Sequence, residues 1–340
     1  MKHVPGSGTM RAVVITHAGG PENLAIRMQP APVAGPGEVL VRVQATALNR
    51  ADVLQREGRY PPPPGAPDTP GLEFAGEVVA CGSGATRWPI GARVFGIVAG
   101  GAHAELLVAN QDAVAEIPDH IGWREAAAVP EAFITAHDAM VTQAGLVAGE
   151  TVLIHAVASG VGLAGVQLAR AWGAIPFGTS RTSEKLFAAR DVGLEDGLAI
   201  KGDFAPLIAK VEEWTARRGI DVTLDLVGGP YLAASAQVAA LRGRIMIIGS
   251  LAGGTGEFPL GIVLRKRLQL RGTVLRSRSL AEKIDATARF EREVVPLLAT
   301  GKVRPVIDSV FSLEQISEAH RRMESNESVG KIVVEVVGSG

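Results

Sequence analysis

The stretch that most constrains this chain is residues 151–172, TVLIHAVASGVGLAGVQLARAW. Val152, Leu153 and Ile154 form a short β-branched and leucine run of the kind that makes a buried strand. Gly160-Val161-Gly162-Leu163-Ala164-Gly165 then spells a full G-x-G-x-x-G, and Val161, Ala164, Leu168 and Trp172 follow at helical spacing. In a chain with 41 glycines a glycine triplet alone says little; its weight comes from its place between a strand and a helix. There the first glycine allows a tight turn and the second lets the backbone approach a pyrophosphate. The third lets helix and strand pack closely, while the helix N-terminus offers unpaired N–H groups and a positive dipole to the phosphates. The alternative is a glycine-rich corner that holds no ligand.

The next strand is expected at 175–179, leading into Ser180-Arg181-Thr182-Ser183-Glu184-Lys185. A site for NAD commonly places an Asp or Glu about 20 residues past the glycines, where it accepts the ribose hydroxyls. Here Ser180 and Arg181 stand there, with Lys185 one helical turn on. A carboxylate repels a 2′-phosphate, whereas a hydroxyl and two cations hold it by charge-assisted hydrogen bonds. The pattern points to NADPH over NADH. The plainer reading is a capped helix with a solvated basic start.

At 340 residues the chain is too long for one ordinary core, so two domains are expected. Hydrophobic residues make up 47% and the net charge is −1, which leaves no basic excess to hold nucleic acid. No apolar run is long enough to span a bilayer, and a cytoplasmic location is expected. A single cysteine, Cys81, excludes an internal disulfide and any multi-cysteine zinc site. The opening MKHVPGSGT is rich in Gly, Pro and Ser, and residues 1–9 are expected to be a disordered leader or tag.

Strand signals at 12–16, 39–45, 73–79, 92–98 and 105–109, separated by Gly/Pro turns, predict an all-β head. Pro61 to Pro64 after Tyr60 make a stiff loop that no central strand accepts. From Thr151 strands and helices alternate. Strands are predicted at 151–157, 175–180, 197–200, 221–227, 244–249 and 268–275, and helices at 183–192, 204–218, 230–241 and 259–264. Six strands joined by crossovers make a doubly wound parallel sheet of Rossmann type, so the fold class is α/β. One long helix at 280–299, an extended piece at 305–311, a helix at 313–324 and a last strand at 331–336 complete the chain, and this tail is expected to return to the head.

With these parts in this order the chain resembles the medium-chain dehydrogenase/reductase superfamily. Within it, the chain is similar to the zinc-free quinone oxidoreductases, and most of all to the p53-inducible quinone-reductase type. The resemblance is carried by residues 47–56 (ALNRADVLQR), 58–61 (GRYP), 70–73 (PGLE), 129–132 (VPEA), 155–162, 225–229 (DLVGG), 275–278 (LRSR) and 329–333 (VGKIV), and it spans residues 10–337. It implies a GroES-like β-barrel head at 10–133 and 276–337, a Rossmann NADPH-binding domain at 134–275, an active site in the cleft between them, and a homodimer joined through the Rossmann sheet. By motif match, Ser159, Gly160, Val161 and Gly162 would contact the pyrophosphate, and Ser180, Arg181 and Lys185 the 2′-phosphate. Asn49, Asp52, Tyr60 and Thr135 would face the nicotinamide and substrate. Gly249, Ser250 and Leu251, with Leu275, Arg276 and Ser277, would line the far side, and Asn326 would close over the cofactor. Relatives of this type often carry a tyrosine near the adenosine phosphate where this chain has Ile200, which removes one hydroxyl donor.

Zinc-dependent relatives hold their metal in the head with thiolate and imidazole. Here the corresponding places read Asn49-Arg50-Ala51-Asp52 and Gly71-Leu72-Glu73, so no metal site is expected. The histidines at 3, 17, 103, 120, 137, 155 and 320 show no ligand spacing and read as loop or packing residues. For His155, just before the glycine turn, a place near the cofactor is the alternative. Without a Lewis acid the substrate must itself accept hydride well, as quinones and conjugated enones do, because the arriving charge delocalises onto an oxygen. The protein then positions the acceptor and offers donors to that oxygen. Asn49, Thr135 and above all Tyr60 are the candidate donors, Asp52 is a candidate relay, and Glu73 and Glu131 read as structural ties. The expected activity is NADPH-dependent quinone reduction. The alternatives are reduction of an alkenal or enone double bond, and a non-catalytic NADPH-binding protein.

Overall fold

A computed structural model describes residues 8–336, and within them the chain forms two compact units. Among the described residues, unit one is 8–134 with 275–336, and unit two is Thr135–Val274. The head contributes β1 (Thr9–Ile15), β2 (Leu24–Pro30), β3 (Glu38–Leu48), α1 (Arg50–Arg56), β4 (Glu73–Cys81), β5 (Arg93–Ile97), β6 (Leu106–Asn110), β7 (Val114–Glu116) and α2 (Trp123–Ala127), and α3 (Pro130–His137) follows. The middle of the chain adds β8 (Thr151–Ile154), α4 (Gly160–Ala171), β9 (Ile175–Ser180), α5 (Glu184–Asp191), β10 (Asp196–Ala199), α6 (Ala205–Trp214), β11 (Ile220–Asp225), α7 (Pro230–Val238), β12 (Ala239–Ile247), α8 (Leu260–Lys266) and β13 (Gln269–Gly272). The tail is α9 (Leu280–Glu293), α10 (Val295–Ala299), β14 (Ile307–Ser312), α11 (Ile316–Glu324) and β15 (Lys331–Glu335).

In the middle unit the six strands are all parallel in the order β10-β9-β8-β11-β12-β13, so strand order reverses between β8 and β11. Ligands of doubly wound sheets bind outside the carboxyl ends of the strands at such a reversal. The four residues of β8 are buried, and Leu153, Phe177 and Ile220 from three neighbouring strands pack against Leu207, Val211, Ala234 and Val238 of the covering helices. Helix α4 lies close to the sheet: a Cβ on Gly165 would stand 3.2 Å from both Ile154 and Leu224.

In the head, β14-β15-β3-β4-β5-β7 make one sheet, with β6 also paired to β3. Val13, Val41, Phe74, Val94, Ile332 and Val334 meet in its core. Strands β14 and β15 of the tail thus complete a sheet begun more than 250 residues earlier. One side chain fastens that junction. Lys331, the first residue of β15, donates from Nζ to the Leu48 carbonyl (3.1 Å), Asn49 Oδ1 (2.7 Å) and Glu73 Oε1 (2.6 Å). Both members of the ion pair are shut from water.

Several boundaries differ from the sequence expectation for local reasons. Thr9, placed in a leader, opens β1 and pairs with Pro30, because the ladder continues beyond the apolar Ala12 and Val13; Gly8 before it accepts from the Ala31 N–H, and residues 1–7 of that leader lie outside the described residues. The predicted long helix at 280–299 breaks into α9 and α10 at Val294, where Pro296 supplies no N–H. Strand β12 begins at Ala239, before the predicted 244, and its ladder with β11 shifts register between Ile220 and Val222. Among the described residues no helix is long and apolar enough to cross a membrane.

Removing one member of a buried pair leaves the other charge uncompensated, which costs about 3–5 kcal/mol. Lys331→Ala is therefore expected to lower stability by that order, read as the denaturant midpoint of unfolding. Lys331→Met combined with Glu73→Gln is expected to recover most of the loss.

Candidate active site and dinucleotide-binding corner

In the head, the expected substrate-facing residues fall into a tightly bonded polar centre. Asn49 caps α1 from an extended backbone conformation (φ −124°, ψ 154°), and its N–H donates to Asp52 Oδ2 at 2.7 Å. Asp52 Oδ1 accepts from the Gly71 N–H at 3.0 Å, so both of its oxygens are held by backbone groups and none of the side chain reaches water. Gly71 has φ +102°, and a Cβ there would lie 2.5 Å from the His103 nitrogen, so only glycine fits. Asn49 Nδ2 donates to Glu73 Oε1 at 2.8 Å, while its Oδ1 receives Lys331. Glu73 Oε2 accepts the Glu131 N–H at 2.8 Å. The Asn49 amide and the Asp52 carboxylate, read from sequence as donor and relay, are thereby engaged in holding α1, β4 and α3 to β15.

Tyr60 is different. Its ring is half-buried under the Arg276 guanidinium, 5.1 Å from it, and among the described residues its hydroxyl has no hydrogen-bond partner. Burial raises the Tyr60 phenol above its usual pKa, with Arg276 opposing and Glu131 assisting, so the group remains a donor at neutral pH. Arg276, expected against the cofactor, is buried in the head: it donates to the Ala99 carbonyl (2.8 Å), the Tyr60 carbonyl (3.2 Å) and Gln55 Oε1 (2.6 Å). Leu275 is buried beside it and Ser277 is exposed. Asn326 sits at φ +58° after α11, its Oδ1 accepting from Arg50 at 2.7 Å and its Nδ2 donating to the Glu324 carbonyl.

In the middle unit, Thr135 is buried in α3. The glycine corner has the form read from the sequence. Ser159 caps α4, its Oγ accepting from the Gly162 N–H at 3.1 Å. The Gly160 and Val161 N–H groups, in the first turn, have no intrahelical acceptor. Gly162 is irreplaceable on steric grounds, since a Cβ would stand 2.5 Å from the Val157 oxygen and 2.7 Å from that of Ala156. This is a cradle that fits a pyrophosphate. At the end of β9, Ser180 is buried and donates to the Thr182 carbonyl, Arg181 is exposed and Lys185 is half-buried. Arg181 and Lys185 put two cations at this edge, while the Ser180 hydroxyl donates within its own loop. Gly249 closes against the Leu226 carbonyl, which a Cβ would approach to 2.5 Å; Ser250 and Leu251 beyond it are exposed.

Two features of this unit add to the sequence reading, which had His155 as a loop or packing residue and did not single out Tyr231. His155 is fully buried and bridges Thr179 Oγ1 (2.8 Å) and Ser235 Oγ (2.9 Å), and burial pushes its imidazole down to about 4 against the charge of Asp225. Tyr231 packs edge-on against His155 at 5.0 Å and against Phe204 at 4.9 Å, and its phenol feels the charge of Arg181. Ile200, by contrast, is part of the core. The signals for both were long-range: position 231 follows a Gly-Gly-Pro turn 50 residues after Arg181, a distance no local pattern bridges.

Two family profiles match the chain: the alcohol dehydrogenase GroES-like domain over residues 35–137 and the zinc-binding dehydrogenase over residues 199–334. Human quinone oxidoreductase is 30% identical over 338 residues, covering 97% of this chain and 98% of that protein. The structure of mycobacterial Rv1454c complexed with NADPH aligns at a TM-score of 0.85 with 28% identity, over 96% of this chain and all of that one. The JamJ enoyl reductase in its apo form aligns at a TM-score of 0.85 with 25% identity, over 96% and 99% of the two chains. With a GroES-like head, a six-stranded parallel Rossmann-like sheet and this similarity along its length, the chain belongs to the medium-chain dehydrogenase/reductase superfamily, in its branch of quinone oxidoreductase-like oxidoreductases.

Proposed function

We propose that the protein is an NADPH-dependent reductase of small quinones, working without a metal and closest in kind to the p53-inducible quinone reductases. The observation that carries the reading is the polar centre of the head: where zinc-dependent relatives present thiolate and imidazole, Asn49 and Glu73 are instead closed on the Lys331 ammonium at 2.7 and 2.6 Å. Among the described residues no three His, Cys, Asp or Glu side chains gather as a metal-holding group. Bound NADPH supplies a hydride. The chain's own share is to hold the diphosphate on the Ser159–Gly162 turn, to hold the 2′-phosphate with Ser180, Arg181 and Lys185, and to offer the Tyr60 hydroxyl to the acceptor's oxygen as it gains charge. The likeness to an enoyl reductase supports a second reading in the same site, reduction of an enone carbon–carbon double bond.

We also propose a homodimer. Strand β13 is the open edge of the parallel sheet with all four residues exposed, and α8 beside it has no buried residue. Leu260 (70% exposed), Leu264 (78%) and Val274 (49%) lie on this side. An uncovered edge with apolar side chains invites pairing, and a second copy related by a twofold axis covers it with its own β13.

Three measurements test these statements. Steady-state NADPH oxidation with 1,2-naphthoquinone and with a 2-alkenal is expected to be faster on the quinone; the reverse order selects the enone reading, and no turnover on either leaves a non-catalytic NADPH binder. Arg181→Ala is expected to weaken NADPH by about 10- to 100-fold, the worth of a charge-assisted hydrogen bond, with little change for NADH. Equal losses would show that the 2′-phosphate is held elsewhere. Light scattering is expected to give a dimer that Leu264→Lys with Leu270→Lys converts to a monomer.

A further inference from the structure

The polar side chains around Tyr60 in the head divide into those already committed and those still open. Asn49, Asp52, Gln55, Glu73, Arg276 and Lys331 have hydrogen bonds to one another or to backbone groups. Glu131 does not. Its backbone N–H is tied to Glu73, yet among the described residues its half-buried carboxyl has no hydrogen-bond or ion-pair partner. Like the Tyr60 hydroxyl, which it influences electrostatically, it is an unspent group.

We propose that Glu131 is the acid that supplies the proton completing reduction of the acceptor. The proposal rests on the reductase reading above and names a residue for it. Bound NADPH supplies one hydrogen with its bonding electron pair, so the acceptor is reduced by two electrons and its oxygen takes the negative charge. The Glu131 O–H bond breaks, the proton goes to that oxygen, and an O–H bond forms there. The carboxylate left behind regains a proton from water, from which the residue is not fully closed off. One hydride and one proton are consumed for each acceptor reduced.

The surroundings keep that proton in place until it is needed. Burial, and then the charge of Glu73 on β4, push the Glu131 carboxyl up to about 8. Asp52 on α1 adds to the effect, while Lys331 on β15 and Arg276 after β13 oppose it. Lys283 on α9 and the Tyr60 phenol are the other titratable groups in electrostatic contact. Glu73 pairs with Lys331 at 2.6 Å and accepts the Glu131 N–H, which sets it beside the Glu131 carboxyl. The pattern is that of neighbouring carboxyl groups set apart by environment, one paired with an ammonium and the other without a partner among the described residues.

The test compares wild type with Glu131→Gln and Glu131→Asp in two readouts. In the cofactor-free protein, infrared difference spectra against Glu131→Gln are expected to show a protonated-carboxyl band that disappears with a midpoint near pH 8. In single turnovers with a quinone, the wild-type rate is expected to fall as pH rises through that point. Glu131→Gln is expected to be slower by about 100-fold, the lower range of general-acid effects, with that alkaline limb gone and NADPH affinity unchanged. Glu131→Asp keeps a carboxyl and is expected to keep the limb at a reduced rate, which preserves the test if the glutamine variant does not fold. A band lost in the ordinary carboxylate range, or a Glu131→Gln rate equal to wild type with the limb intact, overturns the proposal while the reductase reading stands. No turnover by wild type on any quinone or enone removes both.

Discussion

The Lys331–Glu73 ion pair is the constraint on which the head depends. Two charges buried without water cost several kcal/mol each in lost hydration, and only near-complete hydrogen bonding offsets it. That condition is met here: Glu73 accepts from Asn49, Lys331 and the Glu131 N–H, and Lys331 spends its three donors on Leu48, Asn49 and Glu73. Because the partners come from β3, β4, α1, α3 and β15, one local requirement fixes five elements at once. It also fixes the start of α3, and with it the place of Glu131. A hydrophobic replacement of similar volume would hold the strands as well, but it would neither hold the Asn49 side chain at the start of α1 nor place a negative charge beside a second carboxyl.

The middle unit solves a different problem, which is to present backbone rather than side chains. Ser159 satisfies one N–H of the α4 first turn and leaves two for an anion, while Gly162 keeps the approach open. The end of β9 carries no carboxylate, and the proposed preference for NADPH rests on Arg181 and Lys185 standing where an Asp would repel an extra phosphate.

The parts legible in the sequence were those with short-range physical signatures. The glycine corner needs its three glycines within six residues, β8 carries the apolar run Val152 to Ile154, and β11 alternates Ile220, Val222 and Leu224 with polar residues, so these were readable. Strand β2 was missed because its face is only partly buried and its alternation is faint. Helix α1 was read as a motif and not as a helix, since seven residues give too little period to see. At the sites, Asn49 and Asp52 were recognised by type, but their engagement depends on partners 24 and 19 residues away, and Arg276 spends its guanidinium on residues 177 to 221 positions distant. Composition names such residues as polar and interesting. Only the fold shows whether their atoms are already spent.

His155 shows how the same chemistry serves rigidity in one unit while a neighbouring type of group serves reactivity in the other. Its ring joins the end of β9, at Thr179, to α7, at Ser235, so one side chain sets the spacing between the Ser180–Arg181 edge and Tyr231. Such a bridge needs a fixed protonation state. With its pKa lowered from 6.5 to about 4 by burial, the imidazole is neutral above pH 5, and one nitrogen donates while the other accepts. The sign follows from linkage: between those two values the unfolded chain binds a proton that the folded protein refuses, so this residue's contribution to stability is full above about pH 6.5 and is lost as pH falls toward 4. His155 therefore keeps one charge state across the range in which Glu131, raised to about 8, changes charge. On the proposal above, an alkaline limb in turnover then arises from Glu131 and not from His155.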